Sequence, residues 1–197
     1  MRATEVLLLG TVGWTGLGVL GVLVAWLRGE KLRVKRGLQW LIGVWVVYLG
    51  VLAGVSLVQK QKVVAIGEIQ CFNNMCFTVT GIEEVPRFVP RDVRRLVRVS
   101  IRVTNRGRSA TSNSLMKAYL VDGQERRWKE SSGVNGVNLT AKVAGGSSVT
   151  SEPVFEIAGD ATQLGLILTQ GWRQPGVLVI GDSDSVMHRR TKINLGR

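Results

Sequence analysis

The chain has 197 residues, 45% of them hydrophobic, and a formal net charge of +12, a size for one ordinary domain plus a smaller element. Two cysteines and one histidine leave a zinc site short of ligands, and no Ser/His/Asp or Cys/His set can be nominated for catalysis. The basic excess is shared: residues 1–62 hold eight Lys/Arg and two Asp/Glu, residues 63–197 eighteen and twelve, so each part carries +6 and needs its own cause.

Residues 6–27 form a run of 22 without one charge. As a helix it would reach about 33 Å, enough for a hydrocarbon core of roughly 30 Å. Residues 38–58 form a second uncharged run. The reading is a transmembrane anchor over 1–62. A cleaved signal peptide is disfavoured for the first run, because Leu27-Arg28-Gly29 lacks a small-x-small cleavage pattern. The connecting loop 28–36 carries five basic residues and one acidic. Short basic loops stay cytoplasmic, so the N-terminus and everything after residue 58 are expected outside the cytoplasm. A basic excess with this cause removes the argument for a nucleic-acid partner. Trp26 and Trp40 lie near the loop, where amphipathic rings favour the interface.

Gly43, Gly50 and Gly54 fall on roughly one face of the second run, and Gly21 and Ala25 form a small-xxx-small pair in the first. Such faces let helices approach closely. Packing of the two spans into a hairpin is favoured; homo-oligomerisation through the glycine-rich faces is the alternative. Neither span has an ionisable residue to carry a proton or ion. Gly16-x-Gly18-x-x-Gly21 has dinucleotide-loop spacing but no strand before it.

From residue 63 the pattern changes to short alternating runs. Cys71 and Cys76 flank Asn73-Asn74; a two-residue type I′ turn there would face Cys71 with Cys76, close enough for a disulfide. Two reduced thiols are the alternative. Val97, Val99, Ile101 and Val103 alternate with polar residues, the period of a half-buried strand. Arg94, Arg98, Arg102 and Arg106 share the opposite parity and would form an outward stripe, flanked by Arg91, Arg95 and Arg108. That stripe is either a solubilising face or a contact for an anionic surface. Further strands are expected over 116–121, with a hairpin at Asp122-Gly123 leading to 126–128, then over 139–143, 149–157, 164–168, 177–180 and within 186–195. Pro153 places its strand at an edge or bulge. Many short strands with turn signals predict an antiparallel sandwich or barrel over 63–197.

The run 97–105, Tyr119-Leu120-Val121-Asp122-Gly123-Gln124-Glu125, the Gly145-Gly146-Ser147 turn, Val154-Phe155-Glu156-Ile157 and the strand 164–168 resemble the bacterial telokin-like immunoglobulin-like domain. The resemblance covers about residues 65–195. It implies an immunoglobulin-like sandwich in a secreted or membrane-tethered protein, with no catalytic residues to carry over. The chain departs from the lipoprotein form common in that family by having two spans.

The remaining signals are weak. His188 reads as a surface or strand residue. Asp182-Ser183-Asp184-Ser185 lacks the later Gly and Glu of a calcium loop and reads as a turn. Asn138-Leu139-Thr140 is a glycosylation sequon. The expected protein is therefore a two-helix transmembrane hairpin bearing an all-β immunoglobulin-like sandwich: a cell-membrane binding or scaffolding module without enzymatic activity or cofactor. Its expected partner is a protein or an envelope polymer. The alternative is an accessory subunit of a membrane transport or signalling complex, acting through the helices.

Overall fold

The computed structural model describes residues 3–85, 94–131, 136–171, 175–182, 185 and 187–196. The chain divides into two compact units, one of Met1–Lys60 with Arg173–Arg189 and one of Gln61–Trp172 with Arg190–Arg197.

The first unit is built on helices α1 (Ala3–Leu27) and α2 (Lys31–Val58). They are joined by a tight reversal in which Gly29 takes φ 74°, a left-handed conformation suited to glycine. Glu30 pairs with Arg33 at 2.6 Å, one turn into α2. The helices run antiparallel: Gly18 lies against Leu41 and Gly37 against Val22. A β-carbon at Gly18 would stand 2.6 Å from Leu41 and one at Gly37 2.7 Å from Val22, so these two positions set the approach of the helices. Trp45 Nε1 donates to Thr15 Oγ1 at 3.0 Å, tying the pair together. Both helices are long and apolar enough to cross a membrane. In their most apolar stretches only 0% and 17% of residues are buried, so they are not core helices of a globular domain.

The same unit contains a 3₁₀ turn, Pro175–Leu178, where a strand was expected over 177–180. The run joins no sheet; its Leu178 carbonyl accepts a hydrogen bond from Tyr48 of α2, and of its residues Val177 and Val179 are buried. Tyr48, Leu52 and Ser56, spaced by four on one face of α2, are buried. The expected sandwich domain of 63–197 is thus interrupted by a segment that belongs with the helices.

The second unit is a sandwich of two sheets. One has the order β1 (Val63–Ala65), β10 (Lys192–Asn194), β9 (Gly165–Thr169), β5 (Lys117–Val121), β6 (Arg127–Lys129). The other runs β2 (Ile69–Phe72), β3 (Met75–Val85), β4 (Arg94–Asn105), β7 (Ser148–Ser151), with β8 (Val154–Ala158) also paired to β4. All pairings are antiparallel except β1 with β10. The predicted alternation holds in β4: Val97, Val99, Ile101 and Val103 are buried, and face Phe77, Val79, Leu120, Phe155, Leu166 and Ile193 in one core. The expected strand 149–157 is two, β7 and β8, on either side of Pro153, whose carbonyl accepts from Val99 N–H at 3.0 Å. β7 ends the strand order, while β8 is bridged at Phe155 to Glu130, so the proline falls where the outer strand breaks. No strand forms over 139–143; Leu139 and Val143 fill the core from a loop, with Val143 bridged to Thr111.

The β5–β6 connection departs from a two-residue hairpin. The register pairs Val121 with Arg127, leaving a loop 122–126 in which Glu125, at φ 62°, is the left-handed residue. Asp122 organises the loop. Its Oδ1 accepts from Gln124 N–H at 3.0 Å and Arg126 N–H at 2.9 Å, and its Oδ2 from Arg126 Nε at 2.7 Å. Burial alone would raise the Asp122 pKa, but these hydrogen bonds and the Arg126 charge outweigh it and hold the carboxyl below its ordinary value. A carboxyl whose folded pKa is depressed stabilises the fold above its unfolded pKa of about 3.9 and loses that contribution as pH falls through the folded value. Asp122→Ala should therefore lower unfolding stability by about 2 kcal/mol near neutral pH. Urea titrations should show the wild-type advantage fading below about pH 4.

Candidate interaction surfaces

The β2–β3 hairpin carries the only two cysteines. Its register pairs Cys71 with Cys76 and Phe72 with Met75, and the sulfurs are bonded with Cα atoms 4.0 Å apart. Asn73 takes φ 56° and Asn74 is not left-handed, so the turn has one positive φ where type I′ has two. Cys76 is buried, and Phe72 packs edge-on against Phe77 with centroids 5.9 Å apart.

The arginine parity is as expected, but the stripe is not a field of free charge. Arg94 pairs with Glu156 at 3.3 Å and Arg98 with Glu83 at 3.6 Å. Arg102 and Arg106 are exposed and have no ion pair among the described residues. Arg95, of the opposite parity, turns its guanidinium to the Ala161 carbonyl and lies 3.9 Å from Glu84. Arg91 lies outside the described residues. On the other sheet Arg126 bridges Asp122 and Asp160 and stacks 5.4 Å over Trp128. Burial pushes the Glu130 carboxyl above its ordinary value.

Gly43, Gly50 and Gly54 do not pack the hairpin; nothing lies within 4 Å of a β-carbon built at any of them. Gly43 instead floors an open groove of about 520 Å³ with Arg36, Gln39, Trp40, Val44 and Val47. Gly21 is equally unopposed. The intramolecular contact falls to Gly18 and Gly37, which sequence spacing alone did not single out.

The contacts that sequence reasoning missed lie along α2. Tyr48 OH donates to the Leu178 carbonyl at 2.6 Å, and the Ser56 and Ser185 hydroxyls are 2.9 Å apart. The available signal was two hydroxyl residues eight apart on an otherwise apolar face. His188 is buried, not a surface residue, and its Nδ1 has no hydrogen-bond partner. Among the described residues no cluster of His, Cys, Asp or Glu could hold a metal ion. Asn138 of the sequon is exposed.

No protein-family model and no curated protein matches the chain. Solved structures with a similar fold include an uncharacterised β-sandwich protein from Clostridium difficile 630, at 14% identity and TM-score 0.42, covering 56% of this chain and 89% of that one. A second is the secreted protein MPT63 from Mycobacterium tuberculosis, at 9% identity and TM-score 0.47, covering 68% and 98%. A third is a conserved hypothetical protein from Bacillus anthracis, at 13% identity and TM-score 0.43, covering 55% and 92%.

Two outcomes test this geometry. Non-reducing peptide mass spectrometry should recover Cys71 linked to Cys76, and replacing both by serine should cost about 2 kcal/mol of stability. In the helices, Gly18→Leu or Gly37→Leu should lower thermal stability in detergent, whereas Gly50→Leu should leave it nearly unchanged.

Proposed function

We propose that this protein is a membrane-anchored extracytoplasmic module whose telokin-like, immunoglobulin-like sandwich binds or scaffolds an envelope protein or polymer and performs no catalysis. One observation carries the reading: most apolar side chains of the two long helices are exposed, with Trp40 at 77% and Val58 at 84%. Surface of that extent needs a lipid or protein environment. The loop between them supports the orientation. Arg33 is paired with Glu30, while Arg28, Lys31, Lys35 and Arg36 have no ion pair among the described residues, which suits a cytoplasmic headgroup layer. The disulfide suits an oxidising compartment for the sandwich.

The second reading, a subunit acting through its helices, is favoured by the unopposed face of Gly43, Gly50 and Gly54. A partner helix or a second copy could approach closely there. The arginine stripe supports an anionic contact less strongly, since of its described members only Arg102 and Arg106 have no ion pair among the described residues.

The full chain should remain in the membrane after alkaline carbonate extraction and keep residues 1–27 by intact mass. A cysteine at Lys31 should resist an impermeant thiol reagent in intact cells, and one at Lys129 should react. Release by carbonate, loss of the first helix, or reaction only at Lys31 would overturn the anchoring or its orientation. Affinity capture from native membranes then separates the two readings. Partners lost with Arg102→Glu plus Arg106→Glu belong to the sandwich; partners lost with Gly50→Leu plus Gly54→Leu belong to the helices.

A further inference from the structure

The segment between β9 and β10 leaves the sandwich unit and joins the helices. Its path along α2 is fixed at two heights. Ser185 meets Ser56, two residues from the end of α2, and Leu178 meets Tyr48, ten residues from that end. At 1.5 Å per residue these points lie about 3 Å and about 15 Å below the helix terminus. Uncovered apolar side chains continue along α2 as far as Leu57 and Val58, so hydrocarbon, on the reading above, reaches that terminus. From the midpoint of a core roughly 30 Å thick, Leu178 is then separated by little.

We propose that Pro175–Asp182 is part of a re-entrant segment: it lies in the outer leaflet beside α2 and presents Leu178 to lipid acyl chains. This rests on α2 being a membrane span. Non-helical backbone survives at such depth only if its polar groups are satisfied within the protein. Part of the segment's backbone is satisfied in this way. Val179 N–H donates to Gly176 C=O, Asp182 to Val179, Ser185 to Asp182 and His188 to Ser185, a chain of turns three residues apart. The Leu178 carbonyl takes its hydrogen bond from Tyr48. The side chains sort accordingly: Val177 and Val179 are buried, while Leu178 between them is 38% exposed. The ionisable Asp182 lies in sequence between the two anchored residues, Leu178 and Ser185. It is engaged by a partner and folded back toward Gly176, 3.5 Å from where a β-carbon would stand. A hydrocarbon occupant fits the exposed Leu178 because the α2 surface around it is apolar and uncharged from Leu38 to Val58.

The test uses the full chain in phosphatidylcholine vesicles. Both native cysteines are in the disulfide, so a single introduced cysteine can carry a nitroxide. Labels at Leu178, at Val47 on the exposed face of α2 and at Lys129 on the sandwich are compared for collision with oxygen and with a water-soluble nickel chelate. Leu178 should match Val47, open to oxygen and shielded from nickel, and Lys129 should show the reverse. Tyr48→Phe should raise nickel access at Leu178 several-fold and leave Val47 unchanged. Nickel access at Leu178 while Val47 stays dry would overturn the re-entrant segment alone. Nickel access at both would overturn the membrane span and the segment with it. Shielding of Leu178 from both reagents would put protein over it and overturn the lipid contact.

Discussion

The sandwich depends on β4. This strand pairs with β3 from Leu96 to Asn105 on one side and with β7 and then β8 on the other. Its inward residues Val97, Val99, Ile101 and Val103 are at most 4% exposed. Burying each such side chain contributes about 1.5–3 kcal/mol, and a one-residue slip would turn all four to solvent. The register is held from both ends. Near Arg98 it is held by Val154 and the Pro153 carbonyl. At the other end Asn105, itself buried, donates from Nδ2 to the carbonyls of Ser109 and Val143 and accepts from Gly107 N–H. One residue thereby stops the strand and ties the following loop to the core.

What the amino-acid pattern made legible follows from this. Period-two alternation identified β4, because one of its faces is buried and the other wet. The Cys71–Cys76 pairing was legible because a two-residue turn leaves few registers. Asp122 was legible as a turn residue but not as the acceptor that organises a five-residue loop, since its partner Arg126 is recruited by the loop itself. The 139–143 run failed as a strand because apolar content alone does not distinguish a strand from a loop whose side chains plug a core. The arginine stripe was legible by parity, yet the pairing of Arg94 and Arg98 was not, because Glu156 and Glu83 come from neighbouring strands with no sequence signal of their register.

The helices show the same limit in another form. Glycine spacing marks where close approach is sterically allowed, and Gly43, Gly50 and Gly54 satisfy that condition as well as Gly18 and Gly37 do. Which glycines are used depends on the rotation imposed by the loop. The Gly29 reversal and the Trp45–Thr15 hydrogen bond turn Gly18 and Gly37 inward. At Gly43, Gly50 and Gly54 nothing lies within 4 Å of a built β-carbon, so that face is left unopposed.

Hydroxyl groups discriminate between the two helices more sharply than apolar residues do. A hydroxyl in hydrocarbon must find a partner or incur a cost of a few kcal/mol. In α1, Thr11 and Thr15 solve this locally by donating to the carbonyls of Leu7 and Thr11, four residues back. Tyr48 cannot reach its own backbone in that way, and Ser56 is instead paired across to Ser185. Helix α2 therefore carries two polar groups whose partners come from a segment more than a hundred residues away in sequence. An apolar run at 177–180 reads as a strand when its environment is assumed to be a sheet. Set beside the hydroxyls of α2, the same run supplies the carbonyl that the Tyr48 hydroxyl meets.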